Sequence, residues 1–384
     1  MKKSTGIFLR KIWQFPQGLA IVLFAFSLGM AGCKKDATSE ILQGDDVVSK
    51  SSNSKGPDIM VQAGQSIQAA VDAAAPGAVI RIQPGTYAQA LVVSKPNISI
   101  IGNGNVIIEN PGDEENGIMV TDDADGFVLK NVTVQNFEEN GVILIRVDDF
   151  LLSHVTTINN GEYGLFPLFC HKGMIDHCSA TGHTDTGIYV GQSDGVCMEQ
   201  NVAFGNTNGL EVENCTNILV EKNKAYDNVC GILVVILPGL IQKVSSDIEV
   251  SENHVYNNNH AILADPEDGF EGLIPSGSGI LIVGSDNVTV EKNKISDNNF
   301  VGVATVSVLI LGQLAGIPPD AFADIDPFAD GVHVVRNNLS NNGTNPPALP
   351  LPGVDLLWDG TGSGNCWSDN KFSTSYPSPL PACN

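Results

Sequence analysis

The sequence predicts an all-β fold, a right-handed parallel β-helix of about 22 residues per coil with a short N-terminal capping α-helix. A strand of the form Gly-apolar-x-apolar recurs, and the steps from Gly187 to Gly209 and from Gly209 to Gly231 are equal. An Asn-x-apolar-x-x-Asn unit follows this strand in most repeats. Its asparagine pairs are Asn201 and Asn206, Asn223 and Asn228, Asn253 and Asn258, Asn293 and Asn298, and Asn337 and Asn342.

These asparagines are interpreted as structural and not as catalytic. Period-2 alternation turns every second side chain of a strand inward, and stacked coils lie about 4.8 Å apart. Equivalent asparagines then form ladders, in which each amide bonds to the next coil and satisfies turn backbone groups. Weaker copies of the strand at Gly117, Gly141 and Gly164 extend the array to roughly nine coils.

An N-terminal cap is predicted over residues 66–77. This segment has the pattern of a short amphipathic helix with Ser66 at the N-cap position. Ile67, Val71 and Ala74 form its apolar face. Stacked arrays need such a cap because the end of their core would otherwise be open to water.

Residues 1–32 have the features of a lipoprotein signal peptide. A basic start (Lys2, Lys3, Arg10 and Lys11) precedes a short apolar run. Met30-Ala31-Gly32-Cys33 resembles the bacterial lipobox, which implies lipid on the Cys33 thiol, a flexible tether over 33–57 and a β-helix domain over 58–384. We expect an anchor in the Gram-negative cell envelope, at the outer membrane, facing the periplasm or the surface. A plain secreted protein is the alternative.

The charge balance limits the partners. The net charge is −23, and the predicted signal peptide contributes only basic residues. Such a surface repels nucleic acid and anionic membranes, so contact with membrane is expected through the lipid alone. It also repels polyanionic polysaccharides unless cations bridge, which makes calcium a possible cofactor. The acidic loops 265–268 and 324–326 could bind calcium, but solvated loops are the favoured interpretation.

The cysteines indicate one disulfide in the C-terminal tail and free thiols in the core. Cys366 and Cys383 lie in a Pro- and Gly-rich tail and are expected to form a disulfide in an oxidising compartment. Cys170 and Cys215 occupy an inward position and are interpreted as core thiols. A run of soft ligands could suit copper, but we favour no metal site there; the run is Cys170, His171, Met174, His177 and Cys178.

Three stretches, 161–167, 184–193 and 364–370, resemble those of a family of secreted and lipoprotein parallel β-helix repeat proteins. The resemblance implies the fold and an envelope setting with a secreted partner protein, without an established activity. More distantly, the chain is similar to pectate lyases, mannuronan C5-epimerases and nitrous-oxide-reductase maturation proteins. That wider resemblance supports the fold and transfers no function.

The catalytic run of the epimerases is not reproduced. Tyr163, Gly164 and Pro167 match it, but Phe166, Leu168 and Phe169 stand where charged residues are expected. Proton abstraction needs a base within hydrogen-bond reach. The epimerase mechanism is therefore disfavoured, as is a lyase mechanism that needs an arginine beside an acidic cluster.

The outer face of the glycine-led strands is predicted to be mostly apolar. Its two columns are Met119, Ile143, Phe166, Tyr189, Glu211, Leu233 and Leu281, and Thr121, Ile145, Leu168, Gly191, Glu213, Val235 and Val283. Exposing such apolar side chains to water would cost free energy. Apolar insertions near 236–247 and 309–330, with a third near 264–278, could fold over this face. Alternatively, it is a docking surface for a partner protein or an apolar ligand.

The candidate site lies where the repeat is interrupted. Asp185, Glu211 and Glu213 are candidate catalytic residues, since two glutamates on one strand project about 7 Å apart and a carboxylate pair can act as acid and base. Candidate ligand-binding residues are Tyr163, His183, Tyr189 and Gln192. The ladder is expected to break at His177 and Gly182.

Three functions follow from these patterns. The first is a non-catalytic envelope lipoprotein that binds a polysaccharide or a secreted or envelope protein partner. The second is a polysaccharide lyase or glycoside hydrolase centred on the acidic and aromatic residues. The third is a metal-centre maturation factor.

Overall fold

The computed structural model describes residues 56–263 and 270–384. Three parallel sheets wind around one core, and each strand pairs with the equivalent strand of the coils before and after it. The predicted signal peptide, Cys33, most of the tether and the acidic loop 265–268 lie outside these residues. Neither α-helix of the described ranges has the length and apolar character that crossing a membrane requires.

Sheet A contains twelve strands and forms one side of the solenoid. Its strands are β1 (Asp58–Val61), β2 (Val79–Ile82), β5 (Ser99–Gly102), β8 (Val128–Lys130), β11 (Leu151–Ser153), β14 (Met174–Asp176), β17 (Cys197–Glu199), β20 (Thr216–Glu221), β23 (Ser246–Ser251), β26 (Asp286–Glu291), β29 (His333–Val335) and β32 (Cys366–Ser368).

Sheet B contains ten strands, so the described chain has about ten coils where the sequence predicted roughly nine. Its strands are β3 (Gly85–Ala88), β6 (Val106–Glu109), β9 (Thr133–Gln135), β12 (Thr156–Ile158), β15 (Ser179–Thr181), β18 (Val202–Phe204), β21 (Lys224–Tyr226), β24 (His254–Tyr256), β27 (Lys294–Ser296) and β30 (Asn338–Ser340).

Sheet C contains eleven strands and includes the glycine-led repeats. Its strands are β4 (Leu91–Val93), β7 (Asn116–Val120), β10 (Asn140–Ile145), β13 (Tyr163–Leu168), β16 (Thr186–Gly191), β19 (Asn208–Glu213), β22 (Cys230–Val235), β25 (Ser278–Val283), β28 (Val301–Val306), β31 (Val354–Trp358) and β33 (Ser375–Tyr376).

One inward column of sheet C shows how the core is built. Its members pair in register and are at most 1% exposed: Ile118, Val142, Leu165, Ile188, Leu210, Ile232, Ile280, Val303 and Leu356. Burying each such side chain stabilises the fold by about 1.5–3 kcal/mol. The repeated glycine serves the same stacking, because a Cβ at Gly209 would lie 2.6 Å from the carbonyl oxygen of Gly231 in the next coil.

The asparagines form the predicted ladders in the turns. The backbone N–H and the Nδ2 of Asn223 both donate to Oδ1 of Asn253, over 2.8 and 3.0 Å. The same Nδ2 donates to the carbonyl oxygen of Met198 over 2.8 Å. The second ladder ends at a carboxylate, since the N–H and Nδ2 of Asn342 donate to Oδ1 of Asp355. The structural interpretation of the ladders is therefore confirmed.

The predicted cap is helix α1 (Ile67–Ala73). The hydroxyl of Ser66 accepts a hydrogen bond from the N–H of Ala69 over 3.1 Å. Ile67 and Val71 are buried and belong to the main core. Lys95 closes the other end of the helix, because its ammonium donates to the carbonyl oxygens of Val71, Asp72 and Ala74. The cap thus covers the core where the first coils begin.

The insertions form a second apolar cluster on the outer face of sheet C. Helix α2 (Leu309–Ala315) and the 3₁₀ turns Glu271–Leu273 and Pro319–Phe322 accompany it. Leu311, Phe322 and Ile274 pack against the outward side chains of β22, β25, β28 and β31. Asp324 joins two insertions, since it pairs with Lys243 and accepts from the N–H of Gly239. The lysine holds the pKa of the Asp324 carboxyl below its usual range.

The tail is closed by a disulfide between Cys366 and Cys383, with Cα atoms 4.8 Å apart. The sequence predicted this pair. Cys366 lies in β32, the last strand of sheet A, and Trp367 beside it bridges to Ala382. The staple therefore ties the end of the chain to the last coil.

Candidate functional site

The register confirms the outward columns predicted for sheet C. Tyr189 pairs with Glu211, which pairs with Leu233, and Gly191 pairs with Glu213, which pairs with Val235. The face divides at Glu211. From Leu233 onward the insertions cover it, and from Val92 to Tyr189 no second apolar cluster packs on it among the described residues. We call the second region the open half because no insertion packs on it; its side chains are mostly half-buried, and Ile143 is only 1% exposed. Covering by the insertions was thus predicted correctly for one half only.

Three rings form an aromatic cluster on the open half. Tyr163 and Phe166 are stacked, with ring centroids 4.4 Å apart. Tyr189 meets both rings, at 4.7 Å from Phe166 and 5.3 Å from Tyr163. Tyr163 and Phe166 are half-buried, whereas Tyr189 is 5% exposed. Tyr163 and Tyr189 were candidate residues, and the structure places them together.

Tyr189 connects the aromatic cluster to Glu213. Its hydroxyl donates to Oε1 of Glu213 over 2.8 Å. Burial raises the pKa of Tyr189 well above its usual value, and the nearby carboxylates of Glu213 and Glu211 add to this effect. The phenol therefore stays protonated and acts as a donor throughout the physiological range. Glu213 is half-buried and lies at the edge of the open half.

A threonine hydroxyl joins the other two candidate acids. Oγ1 of Thr186 lies 3.0 Å from Oδ1 of Asp185 and 2.5 Å from Oε2 of Glu211. Nδ2 of Asn208 donates to the same glutamate oxygen over 3.0 Å. One hydroxyl proton cannot serve two carboxylates at once. Asp185 and Glu211 are 8% and 6% exposed, so this group of acids is more enclosed than Glu213.

A small pocket lies over Glu211 at the boundary of the covered half. Asn208 and Glu211 supply its polar groups, and apolar residues of the strands and insertions supply the rest: Leu233, Val235, Leu237, Phe270, Ile274 and Leu311. Oδ1 of Asn208 is buried and has no hydrogen-bond partner in the described structure. An acceptor without a donor beside a carboxylate suits a hydroxyl group or a water molecule.

The interpretation of His183 as a ligand-binding residue was wrong. It is fully buried, with Nε2 3.1 Å from Oγ1 of Thr157 and Nδ1 3.1 Å from the carbonyl oxygen of Asn160. The backbone N–H of His183 donates to Oδ1 of Asn206, so His183 occupies an asparagine position of the ladder. Burial lowers the pKa of His183 to about 4. The side chain is neutral and cannot reach the surface.

The predicted ladder break was displaced by one residue. Cys178, and not His177, donates its N–H to Oδ1 of Asn201. Likewise His183, and not Gly182, stands before Asn206. The coil is 23 residues long at this point, whereas the next is 22. The extra residue shifts the ladder position, which explains the error.

Gln192 anchors an insertion and does not line the open half as a ligand-binding residue. Its Oε1 accepts from the N–H groups of Ile241 and Gln242, over 2.9 and 3.1 Å. Asn214 holds the same loop, because its Nδ2 donates to the carbonyl oxygens of Leu237 and Gln242. Without His183 and Gln192, the candidate site consists of Tyr163, Tyr189 and the carboxylates of Asp185, Glu211 and Glu213.

Cys170 and Cys215 are core thiols, as predicted. Both are fully buried, and Ser193 lies between them in the column, accepting from the N–H of Cys170 and donating its own N–H to Cys215 Sγ. Burial raises the pKa of Cys170 to about 12. Thiols held in this form are poor nucleophiles and poor metal ligands.

Sequence reasoning missed Thr186 and Asn208. Each directly precedes the repeat glycine of its strand, and the two pair in register. A comparison of the residue before each glycine would have placed them beside each other. Their hydrogen bonds to Glu211 could not be inferred. Alternation along the strand predicts only that the side chain of Glu211 points outward, and it does not predict which groups this side chain contacts.

The comparisons with known proteins concern the fold. A model of the "Right handed beta helix region" matches residues 116–240. No curated protein matches the sequence. The chain is similar to the A-module of mannuronan C-5 epimerase AlgE4 from Azotobacter vinelandii, with 18% identity, a TM-score of 0.60, and 79% of this chain and 90% of that chain covered.

Two further solved structures are similar. The enzymatically active domain of bacteriophage CBA120 tailspike protein 2 has 12% identity and a TM-score of 0.54, over 78% of this chain and 44% of that one. DFA-IIIase from Arthrobacter chlorophenolicus A6, without its lid and in complex with GF2, has 13% identity and a TM-score of 0.52, over 78% and 85%. Together with the three parallel sheets, these likenesses establish a right-handed parallel β-helix.

Proposed function

We propose that this protein is a cell-envelope lipoprotein that binds a neutral glycan on the open half of sheet C. The observation that carries the proposal is the aromatic cluster of Tyr163, Phe166 and Tyr189, which lies beside the hydrogen-bonded Glu213. The lipid anchor at Cys33 is part of the same proposal and rests on the sequence of the N-terminus.

The chemistry of the open half suits a sugar ring. Binding sites are mostly apolar and aromatic, with a few polar groups that fix orientation. The apolar face of a sugar can pack on Phe166 and Tyr163, which are both half-buried. A carboxylate accepts hydrogen bonds through two oxygens, so Glu213 can accept from a sugar hydroxyl at the edge of the cluster.

The acidic character of the region favours a neutral glycan over a polyuronate. Asp185, Glu211 and Glu213 lie at one end of the aromatic cluster, and the chain as a whole is strongly acidic. Like charges across an interface disfavour binding. Arg146 lies beyond the other end, where its guanidinium stacks over the ring of Phe169 at 4.8 Å.

The comparisons support a carbohydrate ligand by analogy. The similar Azotobacter protein is a mannuronan C-5 epimerase by name. Fold alone does not determine function, so the analogy adds to the aromatic cluster and does not replace it. The apolar part of the open half also leaves a protein partner as the alternative if no glycan binds.

The test is affinity electrophoresis of the purified protein through gels that contain neutral or acidic polysaccharides, with and without calcium. We expect a neutral polysaccharide to retard the protein and Phe166→Ala to weaken retardation at least about fivefold, since stacking on an aromatic ring contributes on the order of 1–3 kcal/mol. Tyr226→Ala is the matched control, because Tyr226 is a half-buried ring of sheet B, stacked between Phe204 and Tyr256. A loss with Tyr226→Ala alone would move the site to sheet B. Retardation by no polysaccharide would contradict the proposal.

A second candidate function is polysaccharide cleavage by a lyase or hydrolase. The observation that favours it is the pairing of Asp185 and Glu211 through one threonine hydroxyl, with Glu213 and Tyr189 in the adjacent positions. Two carboxyl groups in different environments can serve as acid and base. Either unsaturated products or new reducing ends would be measured in the same samples.

If the protein is an enzyme, Glu211→Gln is expected to abolish turnover and leave the fold intact. Glu249→Gln, a half-buried glutamate on sheet A, is the matched control. Turnover that survives Glu211→Gln would remove this residue from the mechanism. Retardation of the protein without any product would favour binding alone.

A further inference from the structure

A cluster of ligand-type side chains lies far from the open half, at the turn between sheets A and B. Ser153 pairs with Asp176 in adjacent coils, which places the following residues, His154 and His177, one above the other. Their rings are stacked, with centroids 4.8 Å apart and planes 4° from parallel. Both residues are exposed and have left-handed backbone, with φ of 55° and 53°.

Asp176 is the buried member of this cluster. It is 8% exposed, and its Oδ2 lies 2.8 Å from Nδ1 of His177. Its Oδ1 is buried and has no hydrogen-bond partner in the described structure. A buried carboxylate oxygen without a partner costs free energy, so this atom indicates a missing ligand.

We propose that His154, Asp176 and His177 bind a divalent transition metal ion of the zinc type. One ligand atom from each residue lies within 4.8 Å of the others. Imidazole nitrogens and a carboxylate oxygen bind zinc at about 2.0–2.2 Å, so a modest rotation of the two exposed rings brings all three atoms around one ion. Water completes the coordination. Two imidazoles make the set unsuited to calcium, which takes oxygen ligands.

The neighbouring coils explain why the site is confined to this turn. On one side, Ser153 occupies the position of Asp176 and lies 2.9 Å from Nδ1 of His154, where it can orient the ring. On the other side, Glu199 pairs with Asp176 in register but is held by Lys222 over 3.2 Å. The ammonium of Lys222 therefore already lies beside the carboxylates of Glu199 and Glu221. The site is independent of the glycan proposal, since it lies on different sheets.

The test is titration of the purified, untagged and chelator-treated protein with zinc alone, followed by calorimetry. We expect one ion per chain, and an affinity at least about tenfold weaker in His154→Asn and in His177→Asn, because each variant removes a direct ligand. Asparagine tolerates left-handed backbone, so both variants keep the turn. Asp176→Asn is expected to weaken binding as well.

His333→Asn is the matched control, since His333 is an exposed histidine outside the cluster. Circular dichroism melting in the absence of metal checks that each variant is folded, and zinc is expected to raise the melting temperature of the wild type and of His333→Asn only. The proposal is overturned if the wild type binds no stoichiometric zinc, or if the two histidine variants bind it as tightly as the wild type.

Discussion

The hydroxyl of Tyr189 donates to Oε1 of Glu213 over 2.8 Å and so joins the side chains of two successive coils. The bond crosses an outward face that is otherwise mostly apolar. It leaves the phenol paired with a carboxylate and the ring free to pack against Phe166. A substitution that removes the hydroxyl of Tyr189 and keeps its ring can therefore test the contribution of this hydrogen bond to stability separately from the contribution of the ring to ligand binding.

Tyr189→Phe is expected to lower the free energy of unfolding by about 1–2 kcal/mol, because a hydrogen bond to a charged group is lost while the ring is kept. Urea denaturation measures the change. Tyr226→Phe is the control, since the hydroxyl of Tyr226 makes no hydrogen bond to the described residues. Equal effects of the two substitutions would mean that the bond to Glu213 contributes nothing. Glycan retardation should persist in Tyr189→Phe.

His183 is expected to make stability depend on pH below neutrality. Its pKa is about 4 in the folded chain, against 6.5 as its ordinary value. Between these values the unfolded chain binds the proton more readily, so the free energy of unfolding is highest above pH 6.5 and falls as the pH drops towards 4. The loss attributable to this one group is about 3 kcal/mol. His183→Asn should remove that part of the pH dependence and restore a continuous asparagine ladder.

Thermal and urea unfolding of both proteins between pH 4 and 7 measure this effect. Other groups titrate in the same range, so the quantity of interest is the difference between the wild type and His183→Asn. The difference between the two curves should be constant above pH 6.5 and should change below it. Parallel curves across the whole range would show that the folded chain binds the His183 proton as readily as the unfolded chain does, which would contradict the lowered pKa.

Asn228→Ala is expected to destabilise the protein by at least about 3 kcal/mol. Its Oδ1 accepts from the N–H and Nδ2 of Asn206, and its Nδ2 donates to Oδ1 of Asn258. These groups are buried, and the substitution leaves the backbone N–H of Asn206 without its acceptor and removes the hydrogen bonds from Nδ2 of Asn228 to Asn258 and Ala203. Asn345→Ala, at an exposed position, should change the free energy of unfolding by less than about 0.5 kcal/mol. Similar values for both would refute the ladder's role.

Gln192→Ala is expected to loosen the insertion that includes Ile241 and Gln242, whose N–H groups it binds. Limited proteolysis should cut within residues 236–247 faster than in the wild type, because cleavage follows local opening. Gln313→Ala, on the exposed side of α2, is the control and should leave that rate unchanged. A protected loop in Gln192→Ala would mean that Asn214 and Asp324 hold it without Gln192.

The sequence predicted the architecture because its signals repeat. Alternation and the recurring glycine placed Tyr189, Glu211 and Leu233 in one outward column, and the register agrees. It could not predict which half of that face is covered, since covering depends on where Leu311 and Phe322 fold back. His183 and Gln192 were misassigned because they bond to residues far away in the sequence, Asn160 and Ile241. Spacing along the chain does not predict such contacts.

The carboxylate of Asp355 gives the second ladder an end as well as a direction. Every amide in the row donates towards the C-terminal coil, from Asn206 through Asn342, and the last acceptor has no proton to pass on. The other oxygen of Asp355 accepts from the N–H groups of Ser373 and Thr374 in the tail. The first ladder continues beyond this coil, because the N–H and Nδ2 of Asn337 donate to Oδ1 of Asn370. A designer who wished to repeat the coil of Asp355 would therefore have to replace this carboxylate with an amide, since only an amide can both accept from one coil and donate to the next.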